Sequence, residues 1–194
     1  MDASKKAITQ RIQNIINDEN LNTLIPEIID CFKEFSLSKN EFLVKKGEAC
    51  RYFCFVESGI LQYAVTVSGQ EKTTYLALRN GFASSLKSFL QQTPSPKNIK
   101  ALSSCKLWGL KINDFKHLMK NNKAFHQFYY NFIENQIFLI DDYRIDLLTL
   151  TPEKRYKKLL VNEPKLLQEV PLHYLASFLG ISTRHMSRIR KNIN

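Results

Sequence analysis

Residues 170–194, VPLHYLASFLGISTRHMSRIRKNIN, decide how this chain is read. The spacing predicts two short helices, about 172–179 and 183–193, with one tight turn between them. Gly180 falls where the first helix must stop, because glycine takes the left-handed C′ conformation without a Cβ penalty. Ser182 is placed to cap the second helix, its hydroxyl accepting an otherwise unpaired backbone N–H. Leu175, Leu179, Ile181, Met186 and Ile189 supply apolar contacts that lock the pair. Ala176 is small enough to let the two helices cross closely. Together these features are the signature of a helix-turn-helix, which offers its second helix to the DNA major groove.

The outward face of that second helix carries Thr183, Arg184, Ser187, Arg188 and Lys191. Arginine can bond bidentately to guanine O6 and N7, and Ser and Thr can serve bases or phosphates. A helical hairpin with a solvated basic face would carry the same charges. The glycine, the cap and the apolar set falling in one register favour DNA binding over that alternative.

The charge balance points the same way. The chain of 194 residues has a formal net charge of +10 and a pI of about 9.4. From Thr151 onward there are nine Lys and Arg against Glu153, Glu163 and Glu169, so most of the excess lies in the last quarter. Such a surplus suits a polyanion, because phosphate contacts gain from counterion release. A membrane surface would also attract it, but no long amphipathic apolar face accompanies it. A hydrophobic content of 44% excludes a disordered chain. MDASKKAITQ lacks the apolar run of a secretory leader, and no segment reaches the roughly 20 apolar residues of a membrane span. A cytoplasmic protein with no membrane partner is expected.

Upstream, residues 4–20 read as an amphipathic helix with Ile8, Ile12, Ile15 and Ile16 on one side, and 24–35 as a second helix after Pro26. Between 40 and 113 the apolar runs turn short and rich in β-branched and aromatic residues, which predicts strands. Strands are expected at 41–44, 52–58, 59–67, 72–77, 99–101, 105–109 and near Leu110. Turns fall at Lys46-Gly47-Glu48, Ser58-Gly59, Ser68-Gly69-Gln70 and Arg79-Asn80-Gly81. That spacing suggests a compact β barrel or sandwich, with a small helix at 82–90 and a loop at Thr93-Pro94-Ser95-Pro96.

A short helix at 116–122 and a long one at 124–150 follow. On the long helix Phe125, Tyr129, Phe132, Gln136, Leu139, Tyr143 and Leu147 form one apolar line, and Phe128, Ile133, Ile137 and Ile140 form another beside it. Two lines need two surfaces: the β domain and, on this reading, a twin helix from a second subunit, with the seven residues of the first line as the dimer-helix positions. A single long core helix is the other reading. Thr151-Pro152-Glu153 restarts a helix, which places a hinge at the 150–151 junction. Three domains result: helices and sensor at 1–122, a dimerisation helix at 123–150 and a DNA-binding domain at 151–194.

A β roll, a long helix and a C-terminal helix-turn-helix in this order resemble the Crp/Fnr family of bacterial transcription regulators. Besides the tail, the resemblance rests on Gly47-Glu48 before YFCFVESGIL, on Gly59 and Gly69 at turns, and on TPEKRYKKLL after the long helix. It covers the chain from about Phe42. It implies an α+β fold: an antiparallel β roll of the cyclic-nucleotide-binding type flanked by helices, then the dimerisation helix and helix-turn-helix. It implies a homodimer on a two-fold-related DNA site, with RNA polymerase as a further partner. By the family's pattern Thr183, Arg184 and Arg188 fall at base-contacting positions, and Ser182 and His185 near phosphate-contacting ones.

Two departures matter. Family members that bind cyclic nucleotides carry Gly-Glu after a Phe, the Glu holding the ribose hydroxyl, and an Arg that pairs the cyclic phosphate. Here the stretch is Phe82-Ala83-Ser84-Ser85-Leu86, and the loop Thr93-Pro94-Ser95-Pro96-Lys97 has no arginine. Lys97 lacks the planar fork that grips a phosphate bidentately. Phe82, Ser84, Ser85, Ser95 and Lys97 therefore outline a degenerate effector pocket that is not expected to bind cyclic AMP or cyclic GMP. The sequence also stops just after the recognition helix, so no complete wing is expected, and affinity would lean on Lys157, Lys158, Arg190 and Lys191.

Other chemistries are weaker. Cys50 and Cys54 could share one strand face and bind a metal or sense redox state, or be buried structural thiols. The cysteine spacings do not suit an iron–sulfur cluster, and His117 is the only histidine near the end of the β domain. Asp141, Asp142 and Asp146 read as a solvated helix face. There is no P-loop, dinucleotide glycine cluster, GxSxG or HExxH, so an enzyme is not expected. No cofactor and no metal are expected, and the effector stays unassigned.

Overall fold

The computed structural model describes residues 3–193. Met1, Asp2 and Asn194, which fall within the expected terminal domains, lie outside the described residues. The N-terminal part comprises α1 (Ala3–Ile16), a 3-10 turn (Glu19–Leu24) and α2 (Ile25–Cys31). The strands are β1 (Lys33–Leu37), β2 (Phe42–Val44), β3 (Tyr52–Ser58), β4 (Leu61–Val67), β5 (Gln70–Ala77), β6 (Phe82–Ala83), β7 (Asn98–Ala101) and β8 (Cys105–Lys111), with α3 (Leu86–Gln91) after β6. Then come α4 (Ile112–Asn121), α5 (Lys123–Thr149), α6 (Pro152–Asn162), α7 (Pro164–Glu169), α8 (Leu172–Phe178) and α9 (Thr183–Ile193).

Two four-stranded antiparallel sheets face each other, in the orders β1-β8-β3-β6 and β2-β7-β4-β5. Gly59, at φ +90°, makes the turn between β3 and β4. A Cβ there would lie 2.4 Å from Ser104 O and 2.5 Å from Cys105 Sγ, so no other residue fits without backbone movement. Between the sheets sits a core dominated by phenylalanine: Phe32, Phe53, Phe55, Phe89, Phe125 and Phe128 are fully buried.

The expected helix at 24–35 is divided. Pro26 sits in the first turn of α2, which ends at Phe32 in extended conformation. Lys33–Leu37 then pairs as an edge strand, with Phe35 opposite Leu107. From Glu34 to Leu37 polar and apolar residues alternate, which is the period of a strand and outweighs continuation of the helix. The expected helix at 82–90 divides too. Phe82 and Ala83 pair with Phe55 and Cys54 of β3, and the helix starts only at Leu86. The strand expected near Leu110 is the end of β8.

α5 is 27 residues long. Asn122 caps it, accepting from Phe125 N at 2.9 Å while its own amide donates to Leu24 O and Glu27 Oε2. The first turns bury Ala124, Phe125 and Phe128 in the roll. The C-terminal half leaves the roll, and Tyr130, Ile137, Phe138, Leu139, Ile140, Ile145, Leu147 and Leu148 are exposed. A second core joins Tyr156, Leu166, Val170, Leu175, Ala176, Leu179, Met186 and Ile189 to Ile60, Leu76 and Leu102 of the roll. The C-terminal helices are thus packed on the outer face of the β4–β5 sheet.

Candidate nucleic-acid interface

The turn between α8 and α9 is a Schellman motif. Ile181 N bonds Ala176 O at 2.9 Å, Gly180 N bonds Ser177 O at 3.1 Å, and Gly180 has φ +71°. Ser182 Oγ accepts from His185 N at 3.2 Å, capping α9. Leu175, Ala176, Leu179, Met186 and Ile189 are buried, and Ile181 packs against them. That packing leaves Ser182, Thr183, Arg184, Ser187, Arg188 and Lys191 exposed on the opposite side of α9, with His185 half-buried at its edge.

His185 Nε2 lies 3.0 Å from Glu153 Oε1. The Glu153 carboxyl is held below the usual carboxylate range by its own backbone N–H, then by His185 and Thr151. Of the basic residues near the α5–α6 junction, Lys158 is already committed to Asp146 at 2.6 Å. Asp146 is therefore an ion-pair partner across the α5–α6 junction and not merely a solvated charge.

Three consecutive residues at the end of α8 are each gripped by a different element. Ser177 Oγ accepts from Thr73 N of β5 at 2.9 Å. Phe178 O accepts from Tyr143 OH of α5 at 2.6 Å, and the two rings stack at 5.1 Å. Leu179 O accepts from Arg155 Nη2 of α6 at 3.0 Å. Arg155 Nη1 also reaches Leu147 O and Leu150 O, each at 3.2 Å, so one guanidinium ties the end of α5 to the turn of the helix-turn-helix. No local feature of the sequence around Arg155 marks this role.

The seven residues of the first apolar line on α5 are divided by the structure. Phe125 is fully buried in the roll, Tyr129 and Phe132 pack against the same core, and Tyr143 is engaged with Phe178. Gln136 is half-buried, while Leu139 and Leu147 are exposed. Outside that line, Tyr130, Ile137, Phe138, Ile140, Ile145 and Leu148 are exposed too.

At the effector-pocket positions the polar groups satisfy one another. Ser84 Oγ donates to Tyr52 O at 3.0 Å, and Ser84 N donates to Tyr63 OH at 2.9 Å. Ser95 Oγ meets Ser85 Oγ at 2.9 Å, and Ser88 Oγ accepts from Cys50 N at 2.9 Å. Lys97 Nζ lies 5.5 Å from the centre of the Tyr63 ring, and burial lowers its pKa. Phe82 packs at 5.1 Å from Phe128 and 5.6 Å from Phe132, so aromatic rings fill the space between β6 and α5. The residues at hand offer no bidentate grip for a cyclic phosphate and no carboxylate for a ribose.

Cys50 and Cys54 are free and fully buried. Burial pushes the Cys54 thiol well above its ordinary pKa, which disfavours the thiolate that metal binding or redox chemistry needs. Among the described residues no group of three or more His, Cys, Asp or Glu is placed to hold a metal ion. His117 is exposed and lies 3.9 Å from Glu27. Among the described residues no helix is long and apolar enough to cross a membrane.

Residues 34–122 match the cyclic nucleotide-binding domain family. No curated protein matches the chain by sequence. Among solved structures, FixK2 from Bradyrhizobium japonicum is similar with a TM-score of 0.71 at 14% identity, over 84% of each chain. The c-di-GMP responsive global regulator CLP of Xanthomonas campestris is similar with a TM-score of 0.64 at 15% identity, over 88% of this chain and 90% of that one. A transcriptional regulator of the Crp/Fnr family from Eubacterium rectale gives 0.63 at 15% identity, over 90% and 82%. Residues 34–122 thus resemble a cyclic nucleotide-binding domain, and the chain as a whole shares the fold of these solved regulators.

Proposed function

We propose that the chain is a dimeric, sequence-specific DNA-binding transcription regulator of the Crp/Fnr type, not controlled by cyclic AMP. The observation that carries this reading is the exposed face of α9, where Thr183, Arg184, Ser187, Arg188 and Lys191 stand clear of a helix-turn-helix closed by Gly180 and Ser182. The role is binding rather than catalysis, exercised in the cytoplasm with RNA polymerase as the downstream partner. A change at the roll would pass along α5 and alter the spacing or tilt of two recognition helices. The self-paired serines of the pocket favour a second reading, a constitutive DNA binder whose roll serves only dimerisation.

The test is selection of genomic DNA fragments by the purified protein, with and without cyclic AMP and a metabolite extract. A palindromic site, unaffected by cyclic AMP, is expected. Salt-sensitive, sequence-blind binding in every condition would instead leave a ligand-sensing or protein-interaction module with weak DNA binding.

Arg188→Ala is expected to weaken binding to the selected site by about 1–3 kcal/mol, with little effect on unrelated DNA. Equal losses on both would make Arg188 a phosphate contact. The dimer is expected to form along the exposed line of α5. Ile137, 58% exposed in the single chain, would be buried there. Ile137→Ala is then expected to raise the dimer dissociation constant about ten- to a hundredfold in sedimentation equilibrium, the combined worth of covering the exposed part of Ile137 in both subunits. Unchanged self-association would move the interface elsewhere.

A further inference from the structure

Beside the recognition face lies a cleft of about 420 Å3 between α6 and α9. Glu153 and Lys157 line it from α6, and His185, Arg188, Ile189 and Asn192 line it from α9. The charges in it are differently engaged. Glu153 is held by His185 at 3.0 Å. The side chains of Lys157 and Arg188 make no hydrogen bond or ion pair among the described residues. Lys158, the next residue on α6, is by contrast paired with Asp146. The cleft therefore holds two uncommitted cations, one on each helix, and a carboxylate that a neighbouring imidazole occupies.

We propose that this cleft seats one backbone phosphate of DNA, with Lys157 as its cation, beside a Glu153 carboxylate whose Oε1 is engaged by His185. The proposal rests on the DNA-binding reading above and adds to it a contact from outside the helix-turn-helix. An ammonium takes a phosphate as a point charge and needs no planar geometry, so Lys157 suits this role. Arg188, at the same edge of α9, keeps its fork for a base. A phosphate held between α6 and α9 fixes the rotation of α9 in the groove, which is what phosphate contacts do for register. The Glu153 carboxylate in the same cleft opposes that phosphate, and the His185 imidazole, with Nε2 at 3.0 Å from Oε1, weakens the opposition by engaging one of its oxygens. His185 is then a positioning residue here, acting on the phosphate through Glu153.

A phosphate on a free small molecule has the same chemistry as a phosphodiester, so the experiment separates the two. Binding of the full chain to its selected DNA site and to a scrambled duplex is measured across a salt series. Lys157→Gln, a substitution at an exposed helix position, is expected to flatten the slope of log K against log salt by about 0.9 on both duplexes, the loss of one phosphate contact. Preference between the duplexes stays as in the parent. Glu153→Gln is expected to tighten both by about two- to fivefold at low salt, the scale of one exposed charge interaction. An unchanged slope in Lys157→Gln, with site binding intact in the parent, overturns the phosphate seat and leaves the regulator reading standing. Failure of the parent to bind DNA at all overturns both. Inorganic phosphate titrated into the DNA-free protein is the remaining arm. Saturable shifts of the His185 and Asn192 amide resonances that vanish in Lys157→Gln, with no change in its DNA salt slope, would assign the cleft to a free anion and overturn the DNA contact.

Discussion

Phe128→Ala is expected to lower the unfolding free energy by about 3–5 kcal/mol, the cost of deleting a fully buried aromatic ring that its neighbours cannot replace. Phe128 has no exposed surface. Its ring lies 5.1 Å from Phe82, 5.7 Å from Phe125, 6.0 Å from Phe132 and 6.5 Å from Phe53. These partners come from α5 itself, from β3 and from β6, so collapse into the vacated space would require two strands and a helix to shift together. The loss is therefore expected at the upper end of the range for large-to-small changes, and it falls at the contact between roll and long helix. Because Phe82 and Ala83 form β6 and lead into Ser84 and Ser85, the same cavity would loosen that stretch as well. Urea unfolding at fixed protein concentration measures the effect as a lower midpoint with an unchanged slope. A loss below about 1 kcal/mol would mean that the aromatic cluster repacks freely and does not couple the roll to α5.

The parts of this fold that were legible in the sequence are those governed by local rules. Gly180 and Ser182 act within one turn of chain, and both do what their residue types require at those positions. The long helix was legible from its period and from the Thr151-Pro152 restart. What was not legible depends on surfaces far away in sequence. Lys33–Leu37 becomes a strand because β8, some seventy residues on, offers an edge to pair with. The two apolar lines of α5 have nearly equal weight, and periodicity cannot say how far along the helix the roll reaches. Phe125 of one line and Phe128 of the other go inward, while Leu139 and Leu147 of the first and Ile137 and Ile140 of the second are left out. At the pocket, the loss of Gly-Glu and arginine was visible as letters. The pairing of Ser85 with Ser95 and of Ser88 with the Cys50 amide was not, because it joins segments 10 and 38 residues apart.

Arg155→Ala is expected to destabilise the C-terminal domain by about 2–4 kcal/mol, since hydrogen bonds to a charged donor are worth more than neutral ones and three carbonyls lose their partner together. Those carbonyls belong to Leu147, Leu150 and Leu179. Two of them lie at the C-terminus of α5, where helix carbonyls lack intrahelical partners, and the third at the end of α8. The gain is not the full sum of three bonds. Arg155 Nε is buried without an acceptor among the described residues, and removing the side chain also removes that cost. Lysine keeps the charge but cannot reach three carbonyls at once, so Arg155→Lys is expected to restore less than half of the loss. Hydrogen exchange separates this from a general loss of stability: protection should fall in α8 and α9 and persist in β3 and β8. Uniform loss across both sets of amides would make Arg155 an ordinary stabilising contact. Local loss would make it the joint through which the end of α5 holds the recognition helix. Its removal would then weaken binding to a specific two-fold site more than to unrelated DNA, because only the former demands one fixed orientation of α9.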